Sequence, residues 1–244
     1  MGHHFQLAAS LSYSLPKGFY LGNYKYALEI SNIPRAFFNS VIVAFSTLTL
    51  EVALACPVAF AMGKLNFRFK NQLMSFFLMG MMIPTFVCLI PMFRIYNAAG
   101  LRNTYLALIL PQVGFGLPLS IYMYTSFLDF IPNSLLEAAW IDGANAFQIF
   151  LKVVLPMMKN TTITVITFKF IYVWNEFTYA NTFMTGKQMK TLPITLKDFA
   201  GEFGMVNWGA TYAAITMAIL PTLIVYFFLS KNVIEGMALG AVKS

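Results

Sequence analysis

Five long apolar stretches alternate with shorter polar segments along the chain. They cover residues 39–62, 73–93, 105–128, 161–184 and 209–230. Each is long enough to cross a bilayer as a helix, which needs about 20 predominantly apolar residues. The strict alternation of polar and apolar positions that marks a membrane β-barrel is absent from these stretches. The pattern therefore predicts an all-α fold, a polytopic transmembrane helical bundle with five visible spans in one domain.

Three charged residues, Glu51, Lys169 and Glu176, fall inside the predicted spans. Charges at this depth are costly, so they usually face the bundle interior, a partner or a water-filled path. Lys169 and Glu176 should lie about 10 Å apart along one helix, at 1.5 Å per residue, which is too far for them to pair. Glu51 fits either a buried clamp between helices or the lining of a path, and its sequence context does not choose between these.

A polar and aromatic cluster surrounds Glu176, formed with Trp174, Asn175 and Tyr179. Amide and carboxylate groups hydrogen-bond sugar hydroxyls, and aromatic rings stack on the apolar faces of sugars. The cluster is thus a candidate lining of a substrate path. The alternative, slightly favoured for Glu176, is a polar clamp between the helices of two membrane subunits.

The composition supports a membrane protein and excludes several classes. Hydrophobic residues make up 59% of the chain and charged residues 10%, whereas soluble domains carry about 25% charged residues. An ordinary soluble enzyme, a disordered protein and a nucleic-acid-binding domain are therefore excluded. The net charge of +7 comes from scattered residues rather than a basic tail, as expected of loops beside membrane spans. Cys56 and Cys88 lie in apolar runs and are interpreted as small buried hydrophobes, so we predict no metal site and no covalent chemistry.

Residues 129–160 are too polar to span but carry the signals of two short amphipathic helices. Ser134 and Glu137 have the spacing of a capping box, which predicts a helix start just after Pro132. Gly143 supplies the conformation in which helices commonly end. The apolar face of this first helix is predicted to hold Leu136, Ala139 and Trp140.

Asn145 is positioned to cap the second short helix, which we predict to end at Pro156. Its predicted apolar stripe contains Phe147, Phe150, Leu151 and Val154. Two stiff helices joined by a tight turn at the membrane edge form an element that can transmit force.

The same segment resembles the EAA loop of bacterial ABC-importer permeases. Glu137-Ala138-Ala139 is followed after three residues by Gly143, and after nine more by Val153-Val154-Leu155-Pro156. Val153 stands where that family usually has isoleucine, and Asn160 stands where a proline is frequent. Resemblance to the carbohydrate-importer, maltose-type branch extends over roughly residues 16–244. It includes Asn39-Ser40, Trp174-Asn175-Glu176-Phe177, Thr191-Leu192-Pro193 and the Gly236-Met237 to Lys243 segment.

This resemblance implies a permease subunit, not an enzyme, that translocates a sugar or oligosaccharide delivered by a solute-binding protein. The EAA loop, residues 131–158, would be cytoplasmic and dock on a separate ATPase subunit. The residues implied in that coupling are Glu137, Ala138, Ala139, Asp142, Gly143, Leu155 and Pro156. For Glu137 a purely local role as capping partner of Ser134 is the alternative. The chain itself would hold no cofactor, since ATP and Mg²⁺ would be bound by the partner ATPase subunits, and it carries no Walker A motif.

The implied assembly contains a second permease subunit, two ATPase subunits and the binding protein, in the bacterial cytoplasmic membrane and without nucleic acid. Residues 1–36 would be an extracytoplasmic segment and residues 37–244 the transmembrane domain, although the family normally has six spans. The loop 185–208 would be external, with Thr191, Leu192, Pro193 and Trp208 contacting the binding protein. A simple connecting loop is the alternative.

A different class of transporter is also open to this sequence. A proton-coupled secondary carrier could use Glu51 and Glu176 as its titrating groups. Dependence of uptake on ATP or on the proton gradient separates the two hypotheses.

Overall fold

The structure, a computed structural model, describes residues 21–199 and 206–241, and its described elements are helical. Residues 1–20 of the predicted N-terminal segment, loop residues 200–205 and the final Val242, Lys243 and Ser244 lie outside the described residues. The α-helices are α1 (Gly22–Ile30), α2 (Ile33–Lys64), α3 (Lys70–Gly80), α4 (Thr85–Ala98), α5 (Leu106–Leu128), α6 (Asn133–Ile141), α7 (Ala146–Ile149), α8 (Leu155–Met157), α9 (Lys159–Trp174), α10 (Thr178–Phe183), α11 (Leu192–Thr195) and α12 (Trp208–Ala241). A π-helical turn (Phe150–Val154) joins α7 to α8, and 3₁₀ turns cover Lys187–Met189 and Leu196–Phe199.

The predicted spans are confirmed in position, and two of them are not straight. Helices α2, α5 and α12 are long and apolar enough to cross a membrane unbroken. The second predicted span, 73–93, consists of α3 and α4, which meet at an angle of 89°. The fourth span begins at Lys159 and makes a 72° bend with the preceding segment Ala146–Met157. Its helical hydrogen bonding is interrupted again between Trp174 and Thr178. Up to five spans result if each bent pair counts as one.

Helices α2 and α5 pack along one another and form the centre of the bundle. Their inner ends approach closely, because a Cβ at Gly63 would lie 3.1 Å from Leu128 Cδ1. Helix α9 packs against both of them, and α12 packs against α9 and α1. Apolar side chains on α4 and α12 stay largely exposed, including Phe86, Ile90 and Phe227. In an integral membrane protein, such faces are suited to lipid or to another membrane helix.

One of the buried apolar clusters fastens the EAA loop to the bundle. Ile131, Leu136, Ile149 and Val154 of the loop pack with the inner halves of α2 and α5. Tyr124 of α5 lies fully buried in the same cluster. The EAA loop is therefore part of the packed structure rather than a free connection.

Candidate functional site: the EAA loop and the buried charges

Gly143 ends the first helix of the EAA loop, as predicted. Its φ of +80° lies in the left-handed region that favours glycine. The Gly143 N–H donates to the carbonyl of Trp140 and the Ala144 N–H to that of Ala139, both at 3.0 Å. These two bonds form a Schellman motif, which satisfies carbonyls at the helix end. The connection between α6 and α7 is short, since only residues 142–145 separate the two helices.

The predicted capping box between Ser134 and Glu137 is wrong. Pro132 occupies the N-cap with an extended ψ of 134°, so α6 begins at Asn133. This start places Ser134 inside the first turn, where its hydroxyl cannot accept from the N–H groups that a box requires. A purely local capping role for Glu137 is thereby removed, and its side chain is exposed.

Asn145 caps the second helix as predicted, and it does so in a full capping box. Its side chain accepts from the Gln148 N–H, and the Gln148 side chain accepts from the Asn145 N–H, both at 2.9 Å. Pro156 does not end the helical segment, which is a correction. The preceding π turn, where the Leu155 N–H donates to the Phe150 carbonyl, leads into Pro156, and helical structure continues to Met157.

The predicted apolar faces of the loop are only half right. Leu136, Phe150 and Val154 are buried, whereas Trp140, Phe147 and Leu151 are exposed. Ile141 beside the turn is 85% exposed. A mixed polar and apolar surface of the EAA loop thus faces away from the bundle. It consists of these exposed apolar side chains together with Glu137, Ala138, Asp142 and Gly143. Of the other predicted coupling residues, Pro156 is exposed, while Ala139 and Leu155 are half-buried.

Lys64 is a functional candidate that the sequence reasoning missed. It is the last residue of α2, and its Nζ donates to the Ile131 carbonyl at 2.7 Å and to Asn133 Oδ1 at 2.9 Å. Both acceptors flank Pro132, the N-cap of the EAA loop's first helix. A lysine in a short inner loop indicates only topology, so its sequence context carried no signal for this contact.

Glu51 and Lys169 form an ion pair inside the bundle. Lys169 Nζ lies 3.3 Å from Glu51 Oε1, and Glu51 is 2% exposed. Ser120 of α5 donates to the other carboxylate oxygen at 3.1 Å. A Cβ at Gly116 would lie 1.8 Å from Glu51 Oε1, so glycine is required there to make room. The pair therefore clamps α2, α5 and α9 together, which decides between the two roles left open for Glu51.

Trp174 and Tyr179, predicted as part of a substrate path, are both buried against other parts of the chain in this conformation. Trp174 is 3% exposed, and its Nε1 donates to the Ala218 carbonyl of α12 at 3.0 Å. Tyr179 is 5% exposed and stacks on Phe183 in a different apolar cluster. The break after Trp174 separates the two rings, because the chain does not continue as one helical face.

Glu176 lies in this helix break and caps the next helix. Its carboxylate accepts from the N–H groups of Tyr179 at 2.6 Å and Ala180 at 3.2 Å. Such a contact satisfies free N–H groups at the start of α10. Asn175 is exposed, and Glu176 keeps part of its surface. A cavity of about 10 Å³ beside Glu176, also lined by Gln112 and Thr191, is far too small for a sugar in this conformation.

The loop from Gly186 onward folds back onto the bundle instead of projecting from it. Thr191 and Leu192 are buried, Pro193 is half-buried and Trp208 is 62% exposed. Of the four predicted binding-protein contacts, Trp208 and Pro193 are accessible, while buried Thr191 and Leu192 cannot reach a partner in this conformation. Phe203 of the same loop lies outside the described residues.

Asn39 and Ser40, which the sequence identified only as part of a motif, hold this loop in place. Asn39 Nδ2 donates to the carbonyls of Gln188 at 2.9 Å and Lys190 at 2.8 Å. Ser40 Oγ accepts from the Leu192 N–H at 2.8 Å. A buried polar pair at the start of an apolar span was the available signal, because buried amides and hydroxyls need partners.

Comparison with known proteins gives a consistent family. Residues 55–238 match the family described as "Binding-protein-dependent transport system inner membrane component". The putative ABC transporter permease protein ORF2 of Caldicellulosiruptor sp. is 35% identical over 98% of this chain and 86% of its own length. The diacetylchitobiose uptake system permease protein NgcG of Streptomyces coelicolor is 31% identical over 95% of this chain and 77% of its own.

Solved structures agree with this relationship at the level of the fold. A chain of a bacterial ABC transporter involved in the import of alginate matches with a TM-score of 0.77 and 21% identity, covering 92% of this chain and 84% of that one. None of these relationships supports a proton-coupled carrier, and Glu51, one of the two glutamates proposed for that role, is held in a buried ion pair. The chain is an integral membrane transport protein and not an enzyme, and it belongs to the family of binding-protein-dependent transport system inner membrane components, the permease subunits of ABC importers.

Proposed function

We propose that this chain is the permease subunit of an ABC importer for a sugar or oligosaccharide in a bacterial cytoplasmic membrane. It works with a second permease subunit, two ATPase subunits that bind ATP and Mg²⁺, and an external solute-binding protein. Relatives whose names specify diacetylchitobiose and starch degradation products support a glycoside substrate. Residues 37–244 are the transmembrane domain, with the EAA loop on the cytoplasmic side.

The outward surface of the EAA loop carries this proposal. Glu137 and Asp142 are exposed beside Trp140 and Ile141, on α6 and at its C-cap. A Schellman motif and a capping box hold the connection from α6 to α7. Apolar side chains flanked by two carboxylates suit a cleft that offers an apolar pocket and basic residues. The 72° bend at Met158 sets the loop at an angle to the fourth span, so a pull on the loop is delivered to α9.

ATP-driven closure of the ATPase pair then biases the spans between inward-facing and outward-facing states. Asn175 and Glu176, which keep accessible surface at the break in the fourth span, are the path residues that remain from the predicted cluster. Trp208 and Pro193 are the remaining candidates for contact with the binding protein.

Reconstitution tests the proposal directly. The complex in proteoliposomes should take up radiolabelled maltose, raffinose or diacetylchitobiose only with ATP, and a proton ionophore should leave the rate unchanged. Uptake that the ionophore abolishes while ATP is present would contradict ATP-driven import. Charge reversal at the EAA loop, Glu137→Lys, should reduce co-purification of the ATPase subunits. The matched control is Glu29→Lys, since Glu29 is also an exposed glutamate, lies on α1 and should have no effect.

A further inference from the structure

We infer that α2 links two loops at opposite ends of the bundle, namely residues 186–199 and the EAA loop. Its positioning residues are Asn39 and Ser40 at the first loop and Lys64 at the EAA loop. The inference rests on the proposed function, because it concerns how docking of the external binding protein would change the activity of the ATPase subunits. It assigns these residues a role in that coupling without direct contact to either partner.

The inner link is a single ammonium group that holds the start of the EAA loop. Lys64 Nζ donates to Ile131 and Asn133, on either side of the residue that caps α6. A charged donor makes hydrogen bonds stronger than neutral ones. Lys64 also lies in the last turn of α2, where a positive charge is favoured by the helix dipole. Any shift of the inner end of α2 is therefore passed to the first turn of α6.

The outer link is a set of buried hydrogen bonds to a segment that has little regular structure of its own. Asn39, 1% exposed, binds two carbonyls of the loop, and Ser40 binds the N–H of Leu192. The Tyr105 hydroxyl donates to Asn39 Oδ1 at 2.8 Å and so fixes the amide orientation. Since every polar atom of the Asn39 amide group is engaged, the loop cannot move without α2 or without breaking buried bonds.

Between the two links α2 is continuous helix, and its sides are braced. Asn39 and Lys64 are 25 residues apart in the sequence, or about 38 Å at 1.5 Å per residue. The buried pair of Glu51 and Lys169 ties the middle of α2 to α9. The contact between Gly63 and Leu128 ties its inner end to α5. Rigid secondary elements with anchored ends are the kind of structure through which distant sites are coupled.

The test uses the complete complex in nanodiscs, with the permease pair and the ATPase subunits. The probe is the purified solute-binding protein, added with the sugar that drives uptake in the reconstitution above. Lys64→Met removes both inner hydrogen bonds while retaining the apolar stem. Asn39→Leu removes the outer ones, and Ser40→Ala is a milder outer variant that keeps the test valid if Asn39→Leu does not fold.

We expect each variant to keep its basal ATPase rate and to lose about fivefold or more of the stimulation by the binding protein, the low end of typical allosteric couplings. In the double variant Ser40→Ala/Lys64→Met, the stimulation should be no lower than in the more affected single variant, because both substitutions interrupt the same coupling through α2. Lys64→Arg should restore part of the stimulation. Lys70→Met, at the start of α3 and therefore near the same end of the bundle, is the control for loss of one charge and should behave as wild type.

Unchanged stimulation in Lys64→Met, or losses that multiply in the double variant, would overturn the inference. So would failure of Lys64→Met to co-purify with ATPase subunits that Lys70→Met retains, because Lys64 would then serve docking itself. Failure of the wild-type chain to bind ATPase subunits would instead refute the proposed function, so the two outcomes are distinguishable.

Discussion

Replacing Lys169 by methionine should destabilise the bundle strongly, because it leaves the buried carboxylate of Glu51 without its charged partner. Glu51 is 2% exposed and 3.3 Å from Lys169 Nζ. At that distance the attraction between unit charges is about 5 kcal/mol for an effective dielectric constant of about 20. Most of this gain offsets the cost of removing both charges from water. The net value of the pair is thus small, but the cost of removing one partner is about 3–5 kcal/mol.

This asymmetry gives a sharp expectation for a double-mutant cycle. Lys169→Met alone should lower the free energy of unfolding by about 3–5 kcal/mol. Glu51→Gln/Lys169→Met leaves no stranded charge, and the glutamine can still accept from Ser120. The double variant should therefore recover about 3 kcal/mol relative to Lys169→Met.

Reversible unfolding of the purified permease by SDS in mixed micelles, followed by tryptophan fluorescence, measures these differences. The pair Lys190 and Asp198 is the matched control, since its side chains are 20% and 27% exposed. Its cycle should give less than about 1 kcal/mol of coupling. A double variant no more stable than Lys169→Met would refute the reasoning, because the single loss would then come from packing and not from an unpaired charge.

Three further predictions concern glycines and Trp174. Gly116→Ala should cost about 1–3 kcal/mol of unfolding free energy in the same assay because its Cβ collides with the buried ion pair, whereas Gly114→Ala, with open space around it, should not destabilise. Gly143→Val should uncouple ATP hydrolysis from transport by distorting the turn of the EAA loop. Gly100 shares the positive φ but lies outside that loop, so Gly100→Val is the control and should not uncouple. Normal uptake with a normal ATPase rate in Gly143→Val would contradict the assignment. Trp174→Phe should lose about 1 kcal/mol with its hydrogen bond to α12 and leave the KM for sugar unchanged; a raised KM would mean that the ring contacts substrate.

The positions of the spans were predictable, and their breaks were not. A bilayer demands long apolar helices, so hydropathy alone located all five stretches. The 89° bend between α3 and α4 follows Gly80 and ends at Pro84, which takes an extended ψ of 119° as the N-cap of α4. Proline inside α5 causes no such break, since Pro111 and Pro118 lie in one continuous helix. Tertiary packing decides between these outcomes, and hydropathy does not report it.

In the EAA loop, the sequence features that predicted local structure correctly were those compatible with few other conformations. Gly143 adopts a backbone conformation that other residues avoid, so its role as a helix end was readable. Ser134 and Glu137 had the correct spacing for a capping box, but with Pro132 as the N-cap the helix starts two residues earlier than Ser134 as the N-cap would start it. A three-residue spacing is meaningful only once the N-cap is known, which explains why this prediction failed while that for Asn145 succeeded.

The buried charges show why function could not be read from the spans alone. Hydropathy identifies that Glu51, Lys169 and Glu176 need partners, but the partner of Glu51 is 118 residues away and that of Glu176 is the backbone of the next helix. Once the partners are known, the carboxylate of Glu51 is engaged by an ion pair and that of Glu176 by backbone N–H groups, and two of the three charges hold α2 to α9. Because α2, α5 and α9 are fastened at this level, we expect the rearrangements of transport to be concentrated where the helices are broken. Those places are the 89° bend, the 72° bend and the interruption at Asn175 and Glu176, where backbone torsions can change without separating the ion pair.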